Sequence, residues 1–257
     1  MEKEEIRQYG LSIGADVVGF AAASDYKSER TQPLDTYLPG VKSIVVLGYR
    51  GNRGALESAS HRIALTSRMG EIELGNNNSY RMARFIEKGT KTKAAPVPVS
   101  YPLDMAPPVM GMAGDVSLRH AAVAAGLGAF GRNNLVLNPE FGSQIVFAGI
   151  LTQLPFASDP PVTDNPCTDC GLCVENCPAG ALEREGYTDT LKCLKTSQPY
   201  GFIGTLKYFS KFVGASPDEQ KALLRDPALL SIYQAQFIGF QYHCFSCIAS
   251  CPVGSGE

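Results

Sequence analysis

The chain has 257 residues, of which 44% are hydrophobic and 19% charged; these proportions exclude a disordered polymer and are those of a globular protein. A mass of 27.5 kDa corresponds to roughly 29,000 Å² buried on folding, so no cross-links are needed to hold a core. The net charge of −2 and pI near 6.0 leave no basic excess to drive counterion release, which argues against nucleic acid as a partner.

The N-terminus, Met1-Glu-Lys-Glu-Glu-Ile-Arg7, has no apolar leader, and a cytoplasmic location is expected. Glu4 to Ile13 reads as a helix stopped by Gly14. Asp16 to Ala22 and Ser43 to Tyr49 are short apolar runs of the buried-strand type. Gly51 to Gly75 is compatible with a helix over Ala55 to Arg68 or with a loop. Ser79 is placed to cap a helix from Tyr80 to Lys88, closed by Gly89. Ala95 to Tyr101 carries prolines and suggests an edge strand. Asp115 is placed to cap a helix through Ala125, with Arg119 one turn on as its ion-pair partner. Leu135 to Leu137 and Gln144 to Leu151 read as further strands. The longest apolar stretch, Ala121 to Gly131, is Gly-rich and too short to span a bilayer, so no membrane partner is expected.

All eight cysteines lie at or after Cys167. This shift divides the chain into an α/β cofactor-binding domain over residues 1–155 and a cysteine module over residues 156–257. The Pro- and Asp-rich segment Phe156 to Pro166 is the expected hinge. The run Cys167-x-x-Cys170-x-x-Cys173-x-x-x-Cys177-Pro178 has the spacing that wraps one cubane and sends its fourth thiolate to another. A second run, Cys244-x-x-Cys247-x-x-x-Cys251-Pro252, follows, and Cys193 stands alone between them. Zinc would need fewer thiolates, and eight suit two 4Fe–4S clusters. The crossing rule gives cluster one Cys167, Cys170, Cys173 and Cys251, and cluster two Cys177, Cys193, Cys244 and Cys247. Cys193 also has a plain reading as a buried residue.

Gly126-Leu-Gly128-Ala-Phe-Gly131 matches G-x-G-x-x-G. A nicotinamide fingerprint requires a strand before it and a helix after it, whereas here a helix precedes and a strand follows. The glycines imply close backbone approach to a ligand, or a helix cap and a tight turn.

Ala125-Gly-Leu-Gly-Ala-Phe-Gly-Arg132-Asn133-Asn-Leu135, then Phe141-Gly-Ser143, Gly149-Ile-Leu-Thr152 and the two cysteine runs resemble the epoxyqueuosine reductase and reductive dehalogenase superfamily. The resemblance covers roughly Glu4 to Gly254. It implies a nitroreductase-like α/β (α+β) domain followed by a bacterial-ferredoxin-like module with two 4Fe–4S clusters. It also implies a base-off cobalamin between the two. His61, His120 and His243 lack the D-x-H-x-x-G context of corrinoid domains that supply a histidine ligand, which agrees. On this resemblance the candidate cofactor-binding residues are Gly126, Gly128, Gly131, Arg132, Asn133 and Ser143, and the candidate catalytic residues are Tyr101, Asp104 and Arg132.

Three departures shape the functional expectation. Met112 stands where the family carries its proton-donor Asp, and the similar stretch Asp104-Met-Ala-Pro107 lies earlier. The sequence ends shortly after Cys251, where epoxyqueuosine reductases continue into a region that helps hold tRNA. No twin-Arg signal of the respiratory dehalogenases is present. The region from Phe202 to Phe240 is longer than expected of epoxyqueuosine reductases and suggests a lid or partner surface. These points favour an iron–sulfur electron-transfer protein that binds and reduces base-off cobalamin for a partner corrinoid system. The alternatives are a cobalamin-dependent reductase of a small substrate, or a bis-cluster flavoprotein holding FMN. The partner is expected to be a redox protein or a small molecule.

Overall fold

The computed structural model describes residues 1–107, 109, 111–239 and 242–254. Its first half is a four-stranded antiparallel sheet between helical layers. Helix α1 (Lys3–Ser12) ends where Gly14 takes φ +102°. Strand β1 (Val17–Ala22) pairs with β2 (Ser43–Arg50). The Gly51 to Gly75 stretch resolves into a short helix α2 (Arg53–Leu56) and the first half of α3 (His61–Thr90). Strand β3 (Ala94–Val97) carries Pro96 and occupies a sheet edge, where a missing N–H is tolerated.

Helix α4 (Leu118–Ala124) leads into β4 (Ala129–Phe130), which pairs with β5 (Val136–Leu137) in a separate two-stranded sheet. Strand β6 (Ile145–Thr152) then enters the main sheet between β2 and β3, giving the order β1-β2-β6-β3. Because β2 and β6 are central, both their faces are covered, which explains their continuous apolar runs. Ile44, Val46 and Leu151 pack with Ala121, Ala122 and Ala125 of α4. Val45, Leu47, Tyr49 and Ile150 pack on the other face with Ile6 of α1 and Met82 and Ile86 of α3. Each such fully buried aliphatic side chain stabilises the fold by about 1.5–3 kcal/mol.

Three local expectations are corrected. Ser79 is not a cap but a buried residue inside the 30-residue α3. Its hydroxyl donates back to the Asn76 carbonyl, the Asn78 amide donates to the Ile13 carbonyl, and the Asn76 side chain accepts from Val99 N–H. The Asn-rich stretch is therefore satisfied by tertiary partners, which outweigh its low helix propensity. The cap of α4 is Ser117, whose side chain accepts from the His120 amide, rather than Asp115. Finally, Phe156 to Pro166 is a strap rather than a hinge. Asp159 N–H donates to the Phe20 carbonyl and the Asp159 carboxylate accepts from Phe20 N–H. Ser158 accepts from Ala22 N–H. The same carboxylate pairs with Lys3 at 2.6 Å and Arg7 at 3.1 Å. The strap thus covers the open edge of β1, which would otherwise offer unpaired backbone groups.

The cysteine-bearing half is built from short helices: α5 (Leu172–Glu175), α6 (Thr190–Ser197), α7 (Phe202–Val213), α8 (Pro217–Leu223), α9 (Pro227–Phe237) and α10 (Ser246–Ala249). Asp189 and Asp226 cap α6 and α9, and Ser216 with Glu219 forms a capping box on α8. Along α7, Phe202, Leu206, Phe209 and Val213 recur at helical spacing and are exposed. Phe240, the end of the longer region noted above, lies outside the described residues. Among the described residues, no helix is long and apolar enough to cross a membrane.

Candidate functional site

The glycine motif closes α4 and launches β4. Gly126 takes φ +69°, its N–H donates to the Val123 carbonyl, and Leu127 N–H donates to the Ala122 carbonyl. This is the paired hydrogen bonding of a Schellman cap. A Cβ at Gly126 or Gly128 would collide with the backbone oxygen of Pro160 or Leu137, respectively. One at Gly131 would sit 2.5 Å from Leu137 Cδ1. The close approach permitted here is to the strap and to β5, the chain's own backbone and side chains.

Beyond Gly131 the segment faces the cysteines. Arg132 and Asn133 line a small recess with Cys167, Cys170, Cys173 and Cys251. Arg132 N–H donates to Cys167 Sγ at 3.4 Å. Its guanidinium donates to the Glu183 carbonyl and lies 4.0 Å from the Asp169 carboxylate. The Asn133 side chain donates to the Cys247 carbonyl. Asn165 ties the wall together: its side chain donates to the Phe130 carbonyl and accepts from Cys167 N–H. Ser143 is buried, its hydroxyl without a hydrogen-bond partner among the described residues. Next to it, Gly142 takes φ +55° and packs against Val253 and Gly254, clasping the tail that follows Cys251.

The thiols fall into two electrostatic neighbourhoods. Burial pushes the Cys173 thiol up, and Cys251, Cys167 and Cys170 add to the effect. Burial also raises Cys193, with Cys244 and Cys177 contributing. Cys247 is pushed up to about 12, by burial first and then mainly by Cys193, Cys244 and Cys177. Burial and the proximity of other thiols disfavour the charged form here, and a metal centre offsets that by replacing the protons. Among the described residues, no three His, Cys, Asp or Glu are drawn together as for a single metal ion. A cubane places four irons among its thiolates and needs no such close group. Ala181 N–H donates to Cys177 Sγ at 3.3 Å, a second amide–sulfur contact of the kind that tunes cluster potentials.

A cavity of about 1160 Å³ opens on the other side of the same segment. Phe130 and Asn134 line it, flanking in sequence the Arg132 and Asn133 that line the cysteine recess. One backbone segment therefore separates the two. The remaining walls come from residues 23–34, from 97–103, from 112–120 and from Gly186. Its volume exceeds the roughly 300–1,000 Å³ of drug-sized sites and suits a larger cofactor. Met112 and Asp115 are on its wall, as is His120. Asp115 forms no ion pair with Arg119, which donates instead to the Asn134 carbonyl at 2.6 Å.

Neither Tyr101 nor Asp104 is among the cavity-lining residues, although Ser100, Pro102 and Leu103 are. Tyr101 is 51% exposed. Gly126, Gly128, Gly131, Arg132, Asn133 and Ser143 do not line the cavity either; Arg132 and Asn133 belong to the cysteine side. Nor does any residue of α7, α8 or α9, so these helices are not its lid. His61 and His243 stack with ring centroids 4.2 Å apart, away from the cavity wall. Residues 23–34 and Asn165 carry no motif and are not foreseen as part of the site. The one signal available is an Asn two residues ahead of a cluster cysteine, in the position of a turn cap.

Residues 160–183 match the model of a 4Fe-4S binding domain. The chain is 29% identical to an epoxyqueuosine reductase of Bacillus cereus over 78% of its own length and 58% of the relative's. It is 26% identical to the Staphylococcus aureus enzyme over 99% and 65%, respectively. It thus spans about six-tenths of these relatives. The fold matches a crystal structure of a selenomethionine-labelled epoxyqueuosine reductase with TM-score 0.65 at 22% identity, covering 99% of this chain and 66% of that one. It matches a catabolic reductive dehalogenase with TM-score 0.62 at 22% identity, covering 76% and 29%. Another epoxyqueuosine reductase, with TM-score 0.64 at 21% identity and covering 99% and 66%, was solved with a modified tRNA stem loop. The glycine loop, the cysteine runs and these matches agree: the chain is similar in sequence to epoxyqueuosine reductases, carries a 4Fe-4S binding segment, and shares its fold with an epoxyqueuosine reductase and a reductive dehalogenase.

Proposed function

We propose that this chain is an iron–sulfur oxidoreductase whose two 4Fe–4S clusters pass single electrons across the 130–134 segment to a base-off cobalamin in the cavity. The observation that carries this reading is the shared wall: Phe130 and Asn134 face the cavity while Arg132 and Asn133 face the cysteines. Cluster one is held by Cys167, Cys170, Cys173 and Cys251, and cluster two by Cys177, Cys193, Cys244 and Cys247. The electrostatic neighbourhoods of the thiols support that partition.

Several features support a corrinoid over a smaller group. The cavity is large, Phe130 and Asn134 on its wall flank in sequence the residues that line the cysteine recess, and its wall carries polar groups from three separate segments. When bound, base-off cobalamin supplies a metal centre that can be driven to a strongly reducing low-valent state. The protein's own residues do the rest. The Arg132 amide stabilises the Cys167 thiolate and so raises the potential of cluster one. Phe130, Val97 and Leu118 restrict water on the cavity wall. Met112 carries no proton, and Asp115 and His120 are lining residues that could deliver one. The reaction class is reduction of a small molecule at the cavity. The second reading, reduction of a corrinoid on behalf of a partner protein, is favoured by Met112 standing where the family's acid would be.

The test uses anaerobically reconstituted protein loaded with hydroxocobalamin and reduced with a stoichiometric low-potential donor. Bound corrinoid should be reduced at least about tenfold faster in wild type than in Cys170→Ala, which retains cluster two. Equal rates would contradict the proposed route. Retention of FMN rather than corrinoid on gel filtration would replace it with the flavoprotein reading.

A further inference from the structure

The cavity has a cationic end, of which the reading above uses only His120. Arg30, Arg119 and His120 line it together, coming from the 24–34 segment and from α4. Tyr26 fixes the two elements against each other: its hydroxyl accepts from Ser117 N–H at 2.8 Å and bonds Thr31 Oγ1 at 3.0 Å. Among the described residues, neither guanidinium has a carboxylate within ion-pair distance. Arg30 has no hydrogen bond either, and the bond from Arg119 to the Asn134 carbonyl uses one of five donors. Lys27, Glu29 and Asp115 also line the cavity, so three cationic side chains face two carboxylates there.

Arg30 and Arg119 are exposed on the cavity wall, where a soluble anion reaches them. Desolvation lowers the Arg119 pKa, and Arg30 lowers it further. His120 is lowered by desolvation, then by Arg119 and Arg30, against an opposing pull from Glu29. Ser117 Oγ accepts the His120 amide and lies 2.7 Å from Nδ1. In the tautomer whose Nδ1 accepts from this hydroxyl, Nε2 carries the ring's own proton and is a donor. Two planar guanidiniums and an imidazole N–H suit an oxyanion with several acceptor oxygens better than a neutral ligand.

We infer that Arg30, Arg119 and His120 form an anion subsite that binds a phosphate-class group of the cavity's ligand, and that in a corrinoid this is the phosphodiester of the nucleotide tail. The assignment to the corrinoid rests on the proposed function, whereas the subsite itself does not. An anionic substrate would present the same chemistry.

Binding measurements separate these cases. Hydroxocobalamin and cobinamide, which lacks the phosphate and nucleotide, are titrated into the reconstituted protein. The proteins are wild type, Arg30→Gln and Arg30→Lys. Arg30 is the choice because no other residue depends on it, whereas Arg119 braces Asn134. Wild type should favour cobalamin by about tenfold or more, and Arg30→Gln should lose about tenfold in cobalamin affinity with cobinamide unchanged. Arg30→Lys should recover part of the loss. Inorganic phosphate on the order of 10 mM should compete with cobalamin but not with cobinamide, relative to chloride of equal ionic strength. If both corrinoids bind wild type and Arg30→Gln equally, the subsite is overturned while the corrinoid reading stands. If neither corrinoid binds, that reading fails, and direct calorimetry with phosphate decides the rest. Arg30-dependent phosphate binding would then assign the subsite to an anionic substrate, and its absence would overturn the subsite as well.

Discussion

Gly142→Ala should cost the protein one cluster through a contact made by no cysteine. Gly142 takes φ +55°, where a side chain costs roughly 1–2 kcal/mol. A Cβ there would also sit 2.5 Å from the Val253 carbonyl carbon, against about 3.5–4.0 Å for an ordinary carbon contact. The obstacle is backbone, so no rotamer change relieves it, and the 252–254 tail must move by at least about 1 Å. Cys251 is joined to that tail, and iron–thiolate bonds tolerate only about 0.2 Å. The expected result is loss of cluster one, with iron falling from about eight to about four per chain. Anaerobic reconstitution followed by iron and sulfide analysis measures it. Gly14→Ala is the control, because Gly14 has φ +102° but nothing within 4 Å of a Cβ; it should lose stability and keep all its iron. Full iron in Gly142→Ala would refute the clasp.

Cys193→Ala should remove cluster two alone, again leaving about four iron, and should leave corrinoid binding intact; retention of eight would reduce Cys193 to a packing residue. Ser117→Ala removes the α4 cap and should destabilise the protein by about 1 kcal/mol, lowering the melting midpoint by about 2–4 °C. The pH profile of stability carries a His120 signature. Because its folded pKa is depressed, the unfolded chain takes up a proton first as pH falls. Stability is therefore present above the ordinary imidazole value near 6.5 and is lost as pH drops from there to the folded pKa. His120→Gln should flatten that part of the curve in parallel denaturation series, and an unchanged slope would show that His120 titrates normally.

The cysteine spacing, the edge strand with Pro96 and the central apolar strands were legible because each rests on local chemistry or a simple period. The site was legible only by half. The glycine motif marks the segment between cavity and cysteines, but its glycines serve the chain's own packing. The side chains around them divide between two faces, a division no linear pattern shows. Tyr101 and Asp104 sit beside lining residues yet outside the cavity, since their placement depends on how 97–116 folds over the sheet. The 23–34 wall has no regular spacing, and its value lies in Tyr26 docking on Ser117 far along the chain. Helix α3 was legible only in pieces, because Ser79 reads as a cap until the tertiary hydrogen bonds around it are seen.

The central claim is that a corrinoid occupies the cavity against cluster one. Gly128 is a poor place to test it, because any side chain there strikes the Leu137 carbonyl. Gly114 is better: it lines the cavity, and a Cβ there meets nothing closer than 3.6 Å. Hydroxocobalamin titrated anaerobically into wild type should bind at concentrations on the order of tens of micromolar, and the visible spectrum should show loss of the lower base. Gly114→Trp, with the same iron content, should not bind. No binding to wild type, or equal binding to both proteins, would contradict the account.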